Sequence, residues 1–209
     1  MLKGIKTIFW DFDGVLMNSN AIRDLGFQKV LAKYPDEQVE LLMNYHRANG
    51  GLSRYVKFRY FFEQVLNEAV SDDQIQNLSA SFSEIMRSLL VNPELLIQDS
   101  LNFVKSNYKE FPMHIVSGSD QTELRHLCIE MNIAQYFLSI NGSPTPKKKL
   151  VSDLLISYKY NSTDVALIGD SVNDYEAASV NGLLFFGYNN KALERTGEGY
   201  IDSFEDLNK

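Results

Sequence analysis

The sequence has few of the features that mark secreted, membrane or nucleic-acid-binding proteins. It has one cysteine in 209 residues, so no internal disulfide can form and a disulfide-stapled fold is excluded. No run of about 18 apolar residues is present for an α-helical membrane span, and the N-terminal apolar stretch is too short for a signal peptide. The net charge of −7 disfavours binding to nucleic-acid backbones and anionic membranes. We therefore expect a soluble cytoplasmic protein.

Proline and glycine are also scarce, with 5 and 12 residues, and they form no linker between domains. A second domain must therefore be inserted within the first. Hydrophobic residues make up 44% of the chain and include 13 Phe, 11 Tyr and 1 Trp, enough to fill a full-sized core. This composition excludes intrinsic disorder.

The hydrophobic pattern divides the chain into two regions. A strand is predicted at Ile5–Trp10, followed by four helices with no strand between them, at 20–34, 35–48, 53–69 and 71–90. Strands and helices then alternate, with strands predicted at 113–116, 136–140, 165–168 and 183–186. This order is typical of an α/β fold with a doubly wound, Rossmann-like parallel sheet. We expect a core domain of residues 1–18 and 90–209, with an all-helical domain of residues 19–89 inserted after the first strand.

Acidic side chains follow two of these predicted strands. Asp11 and Asp13 come after the first strand, and Asp170 and Asp174 come after the strand at 165–168. Ligands bind at the carboxyl ends of the strands in such sheets, so Asp170 and Asp174 are expected to converge near Asp11. Solvated loop acids are the alternative for each pair taken alone. Together, their hard oxygen atoms suit Mg²⁺.

Two other strand ends carry groups that suit a phosphate. Ser117 and Gly118 follow the strand at 113–116 and precede a helix, where hydroxyl and backbone N–H groups form an anion site. A helix is predicted over 119–131, with Ser119 or Asp120 as its N-cap. The run Lys147–Lys149 enters another helix, and its three side chains cannot all face the same way.

Four segments in this order, DFDGVL, VSGS, a lysine after GSPTP, and IGDSVND, resemble the motifs of the haloacid dehalogenase superfamily of phosphotransferases. The helical insert resembles the small cap of its phosphoglycolate phosphatase and β-phosphoglucomutase branch. The resemblance implies a Mg²⁺-dependent phosphatase that acts on a small phosphorylated metabolite, such as a sugar phosphate or a phosphoglycolate-like compound. Asp13 argues against relatives that cleave halides or phosphonates, which have another residue there.

The resemblance also implies roles for individual residues. Asp11 would attack phosphorus and form an aspartyl-phosphate. Asp13 would protonate the leaving alcohol and then activate water, which is favoured if its site raises its pKa. Mg²⁺ would be held by the Asp11 carboxylate, the Asp13 main-chain carbonyl and the Asp170 carboxylate.

The remaining motif residues would surround the phosphoryl group. Ser117, Gly118 and a lysine would bind its oxygens, and Asp174 would orient that lysine or a metal-bound water. Spacing after the GSPTP segment favours Lys147 as the lysine and leaves Lys148 as the alternative.

The segment Leu41–Phe62 of the insert has four cations and no acid. A solvated helix face is one interpretation. The other is that Arg47 and Arg54 contact the substrate across the Gly50–Gly51 turn, which predicts an anionic or polyhydroxylated leaving group.

Two other functions remain open at this point. A phosphomutase would pass the aspartyl-phosphate to a sugar rather than to water. A signalling receiver domain also has a phospho-accepting Asp, a hydroxyl and a lysine at strand ends, but its acceptor lies on a later strand and it has no helical insert. We expect a monomer or homodimer.

Overall fold

Six strands form one parallel sheet in the computed structural model, which describes residues 4–208. They are β1 (Thr7–Trp10), β2 (Met113–Asp120), β3 (Ser139–Ser143), β4 (Val165–Gly169), β5 (Leu184–Tyr188) and β6 (Gly199–Ile201). Their order across the sheet is β3-β2-β1-β4-β5-β6, and every neighbouring pair is parallel. The strand order reverses at β1, so the doubly wound α/β fold predicted from the sequence is confirmed.

Four helices follow β1 and form the insert: α1 (Asn20–Val30), α2 (Asp36–Ala48), α3 (Arg54–Tyr60) and α4 (Asp72–Leu90). The capping box predicted at the start of α4 is present, with Ser71 and Gln74 exchanging hydrogen bonds. The prediction of one helix over 53–69 is wrong, because α3 gives way to a π-helical turn at Phe61–Leu66 and Asn67 then adopts a left-handed φ of 60°. The helical insert itself is confirmed, and its exact domain boundaries stay a prediction.

Four further helices connect the strands of the core. They are α5 (Gln98–Asn107), α6 (Gln121–Glu130), α7 (Lys147–Tyr158) and α8 (Val172–Asn181). The predicted helix start at Ser119 is wrong, because β2 continues to Asp120. The three-residue strand β6 was not predicted, since it is too short to show a periodic pattern. No helix of residues 4–208 has the length and apolarity that a membrane span requires.

Alternating residues of β1 pack on opposite faces of the sheet. Ile8 and Trp10 belong to the larger hydrophobic cluster, whereas Phe9 belongs to the smaller one beneath α7 and α8. The larger cluster continues into the insert through Phe27 and Phe58. The insert therefore shares its core with one face of the sheet, which positions it above the carboxyl ends of β1 and β2.

Candidate active site

Three carboxylates meet at the carboxyl edge of the sheet. Asp11 directly follows β1, and its N–H donates to the carbonyl of Ile168 in β4 at 2.9 Å. Asp170 follows β4, and Asp174 lies in the first turn of α8. Oxygen atoms from the three side chains lie within 4.8 Å of one another. The convergence expected from the sequence is therefore present.

Lys147, the first residue of α7, lies among these acids. Its Nζ is 2.8 Å from Oδ1 of Asp11 and also contacts Oδ1 of Asp174. Burial lowers the pKa of Lys147, but Asp11 and Asp174 together raise it above its ordinary value. Lys148 instead lies on the surface, 2.9 Å from Oε2 of Glu176. Of the two lysines that the sequence left open, Lys147 is the one at the site.

The three carboxylates carry more negative charge than the Lys147 ammonium can balance. Burial and the charge of Asp174 raise the pKa of Asp11 well above its ordinary value, and Lys147 opposes this shift. The same two causes raise the pKa of Asp170 to about 7. An additional cation would favour the ionised forms of both. The all-oxygen donor set therefore fits a hard divalent ion such as Mg²⁺.

Asp170 is held by close backbone and amide contacts. Gly14 has φ = 76°, and a Cβ there would lie 1.9 Å from Oδ2 of Asp170, so this turn requires glycine. The side-chain amide of Asn190 donates to the Asp170 carbonyl at 2.7 Å, and that of Asn20 donates to its Oδ2 at 3.4 Å. These contacts position the carboxylate toward Asp11.

Asp13 accepts three hydrogen bonds that favour its ionised form. Arg23 Nε and the Ser19 hydroxyl donate to Oδ1, and the Ser119 hydroxyl donates to Oδ2 at 2.5 Å. Burial alone would raise the pKa of Asp13, but the Arg23 charge and these hydrogen bonds lower it below its ordinary value. The surroundings of Asp13 therefore do not raise its pKa, which is the condition that would favour its role as an acid. Ser119 is not the N-cap of α6; that residue is Asp120, whose side chain accepts from the N–H of Glu123 at 3.0 Å.

Ser117 and Gly118 face the same space as Asp11 and Asp13. Ser117 is buried, and its Oγ accepts a hydrogen bond from the N–H of Ser119 at 3.1 Å. All four residues line a cavity of about 470 Å³. This volume suits a small metabolite.

The Gly50–Gly51 turn of the insert covers this cavity. A Cβ on Gly51 would lie 2.7 Å from Oγ of Ser171 and 2.8 Å from Cβ of Asn173. The Gly51 carbonyl also lies close to Gly118. A Cβ on Gly118 would lie 2.3 Å from the carbonyl oxygen of Gly51. The insert is therefore closed onto the core through contacts that leave no room for a methyl group.

The two arginines predicted to contact substrate both line the cavity, but both are already paired. Arg54 is buried, with Nη1 2.7 Å from Oε2 of Glu123 and its guanidinium 4.4 Å from the Phe82 ring centre. Arg47 is half-exposed and forms ion pairs with Asp24 and Glu40. Their substrate-binding role stays a prediction.

Sequence reasoning missed the buried pair of Arg23 and Glu123. Glu123 has no exposed surface; its Oε1 accepts from Nη1 of Arg23 at 3.0 Å and its Oε2 from Arg54. Arg23 extends this network to Asp13, linking the insert to the core. No sequence signal identifies either residue, because isolated charges on amphipathic helices are usually exposed.

Known proteins resemble this chain in sequence pattern and in fold. A family model described as haloacid dehalogenase-like hydrolase matches residues 5–182. Among solved structures, a predicted phosphoglycolate phosphatase from Haemophilus somnus is 18% identical with a TM-score of 0.76, over 99% of this chain and 98% of its own. A β-phosphoglucomutase from Clostridium difficile is 14% identical with a TM-score of 0.77, over 97% and 93%.

A third similar structure is YfnB from Bacillus subtilis, solved bound to magnesium. It is 14% identical with a TM-score of 0.71, over 97% of this chain and 96% of its own. At these identities the structural likeness concerns the fold alone. No curated protein matches the chain at a significant level.

Proposed function

Because the chain belongs to the haloacid dehalogenase-like hydrolases, we propose that it is a Mg²⁺-dependent phosphatase that hydrolyses a small phosphomonoester through an aspartyl-phosphate. One observation carries this proposal. The Asp11 carboxylate lies in the cavity, next to the Lys147 ammonium and within 4.8 Å of the Asp170 and Asp174 carboxylates. This arrangement combines a nucleophile, a cation and oxygen ligands for a metal.

Asp11 is the group that attacks phosphorus. An Asp11 oxygen forms a bond to phosphorus as the bond to the alcohol oxygen breaks, which divides hydrolysis into two displacements. Lys147 holds the Asp11 carboxylate in place and favours its ionised form. Mg²⁺ bound by the Asp11 and Asp170 carboxylates and the Asp13 main-chain carbonyl would offset the repulsion between carboxylate and phosphoryl group.

Asp13 transfers the protons. Its ionised form, favoured by Arg23 and the two serine hydroxyls, accepts a proton from the water that attacks the aspartyl-phosphate. Its earlier role as acid requires a proton, and the negative charge of an arriving phosphoryl group favours the protonated form. The Ser19, Arg23 and Ser119 contacts keep the carboxylate oriented in both steps.

The phosphoryl oxygens are bound on the β2 side of the cavity. The Ser117 hydroxyl and the Gly118 backbone are donors at its wall, and the Lys147 ammonium lies 2.8 Å from Oδ1 of Asp11. Asp174 contacts the same ammonium and orients it. The closed insert shields the reaction from bulk water.

Activity with a generic aryl phosphate tests the proposal. Purified protein should release inorganic phosphate when Mg²⁺ is present, and Asp11→Asn should abolish turnover. Asp153→Asn is the matched control, because Asp153 is a half-exposed acid that pairs with Lys149 on α7. No turnover over a broad panel of sugar phosphates, phosphoglycolate and nucleotides would refute the proposal. Isomerisation of a sugar phosphate without phosphate release would identify a phosphomutase instead.

A further inference from the structure

Lys57 of α3 is a buried cation at the cavity that pairs with no acid among residues 4–208. Its side chain and backbone are 2% exposed, and it lines the same cavity as Asp11 and Ser117. Its Nζ is 2.7 Å from Nδ1 of His46 and 3.3 Å from the carbonyl of Gly50. It makes no ion pair with any carboxylate of residues 4–208. A buried ammonium in this state is unfavourable unless something else supplies negative charge.

The other cations around the cavity already have such partners. Arg23 pairs with Asp13 and Glu123, and Arg54 shares Glu123. Arg47 pairs with Asp24. The acids nearest to Lys57 are thus already occupied by other cations.

His46 orients the Lys57 ammonium. Burial and the charge of Lys57 lower the pKa of His46 to about 3, so its ring is neutral. Nε2 lies 3.0 Å from Oδ1 of Asp24 and donates its proton there, which leaves Nδ1 as an acceptor for Lys57. The Gly50 carbonyl accepts a second hydrogen bond from the ammonium, which also lies 5.9 Å from the centre of the Phe27 ring.

Lys57 also lies in the part of the cavity formed by the insert, whereas Asp11, Asp170 and Ser117 lie on the core side. A substrate whose phosphoryl group reaches Asp11 therefore has its alcohol portion toward the insert. A negative charge on that portion would compensate the ammonium in a site with little water, where a charge-assisted hydrogen bond is strong.

We propose that Lys57 binds an anionic group on the leaving alcohol, a carboxylate or a second phosphate, and thereby selects phosphomonoesters that carry this additional charge. This inference rests on the proposed phosphatase function. It assigns substrate selection to Lys57 rather than to Arg47 or Arg54, whose charges are already satisfied within the protein.

Two substrate pairs test the inference. Phosphoglycolate is compared with ethyl phosphate, and a hexose bisphosphate with the hexose monophosphate, so that each pair differs in the anionic group. The wild type should show a higher kcat/KM for the charged member of at least one pair. Lys57→Met should lower that kcat/KM by about 10- to 100-fold, the value of a charge-assisted hydrogen bond, and change the uncharged member less than about 3-fold. The pair that responds distinguishes a carboxylate from a phosphate.

Arg47→Met is the control, because Arg47 lines the same cavity but is half-exposed and paired. It should change both members of each pair alike. Lys57→Gln replaces Lys57→Met if the methionine variant does not fold. The inference alone is overturned if the wild type hydrolyses charged and uncharged members equally well, or if the Lys57 variants lower both to the same extent. The inference alone is also overturned if the wild type hydrolyses other members of the broad phosphate panel but none of these four. If it hydrolyses no member of the panel with Mg²⁺, the phosphatase proposal fails, and the inference fails with it.

Discussion

Replacing Lys57 by methionine should stabilise the protein, by an amount that decreases as the pH rises. Burial, followed by the charge of Arg23, lowers the pKa of Lys57 from its ordinary value of 10.5 to about 7. The difference of about 3.5 units corresponds to about 5 kcal/mol at about 1.4 kcal/mol per unit. Methionine has a similar length but loses the hydrogen bonds to His46 and Gly50, which costs about 2 kcal/mol. A net stabilisation of about 3 kcal/mol is therefore expected near neutral pH.

The pH dependence follows from the direction of the shift. Below pH 7, Lys57 is protonated in both the folded and unfolded states, and the full cost of burying the charge is present. Between pH 7 and 10.5 the unfolded chain holds a proton that the folded protein has lost, so wild-type stability rises with pH. The advantage of Lys57→Met should thus fall by about 2 kcal/mol between pH 7 and pH 9.

The titration of Lys57 between pH 7 and 9 can be separated from that of the groups around it. Arg23 and Arg54 lower its pKa, whereas Asp13 and Asp24 raise it. The pKa of Asp13 is lowered and that of Arg23 is raised, so both keep their charges between pH 7 and 9. His46, whose pKa is lowered to about 3, stays neutral throughout the window.

Urea unfolding at pH 7, 8 and 9, followed by circular dichroism, gives the free energies of unfolding. Lys105→Met is the control, because Lys105 is exposed on α5 and its replacement should leave the pH dependence unchanged. The prediction is wrong if the difference in free energy of unfolding between the wild type and Lys57→Met stays constant from pH 7 to pH 9. A constant difference would mean that Lys57 keeps its charge in the folded protein and has a compensating partner.

Three further predictions concern the closed site. Gly51→Ala should lower kcat/KM by about 10-fold or more in steady-state assays, since its methyl group collides with the core. Gly50→Ala should be nearly neutral, because its nearest contact is at 3.8 Å. Equal effects of the two substitutions would contradict the closure of the insert onto the core. Lys147→Met should reduce kcat by about 100-fold or more and Lys148→Met should not, and the reverse order would contradict the assignment of the lysine. Mg²⁺ at about 100-fold above its Kd should raise the melting temperature by about 5 to 10 °C in a thermal-shift assay, and retention of this shift in Asp170→Asn would exclude Asp170 as a ligand.

Much of the fold was predictable because its signals are local. The buried run of β1 and the capping box of α4 depend on neighbouring residues, and the structure has both. The exceptions have identifiable causes. Three residues are too few for β6 to show a period, and the π-helical turn after α3 interrupts a pattern that otherwise continues as a helix.

The order of the motifs and the strand ends that carry them can be read from the chain without its fold. Asp11, Asp13 and Asp170 could be placed at one edge of the sheet because parallel strands align their carboxyl ends. Their catalytic and metal-binding roles stay predictions that the proposed assays address.

The burial of individual charges, and the partners they contact, depends on how the helices pack in three dimensions. Lys147 and Lys148 are adjacent and chemically identical in the sequence, and the direction in which α7 packs decides which one meets Asp11. Arg54 forms an ion pair with Glu123, whereas Lys57, three residues later, forms none with the carboxylates in the described part of the chain. Such pairings join residues far apart in the chain, so their energies depend on packing between the insert and the core, which no local pattern of residues records.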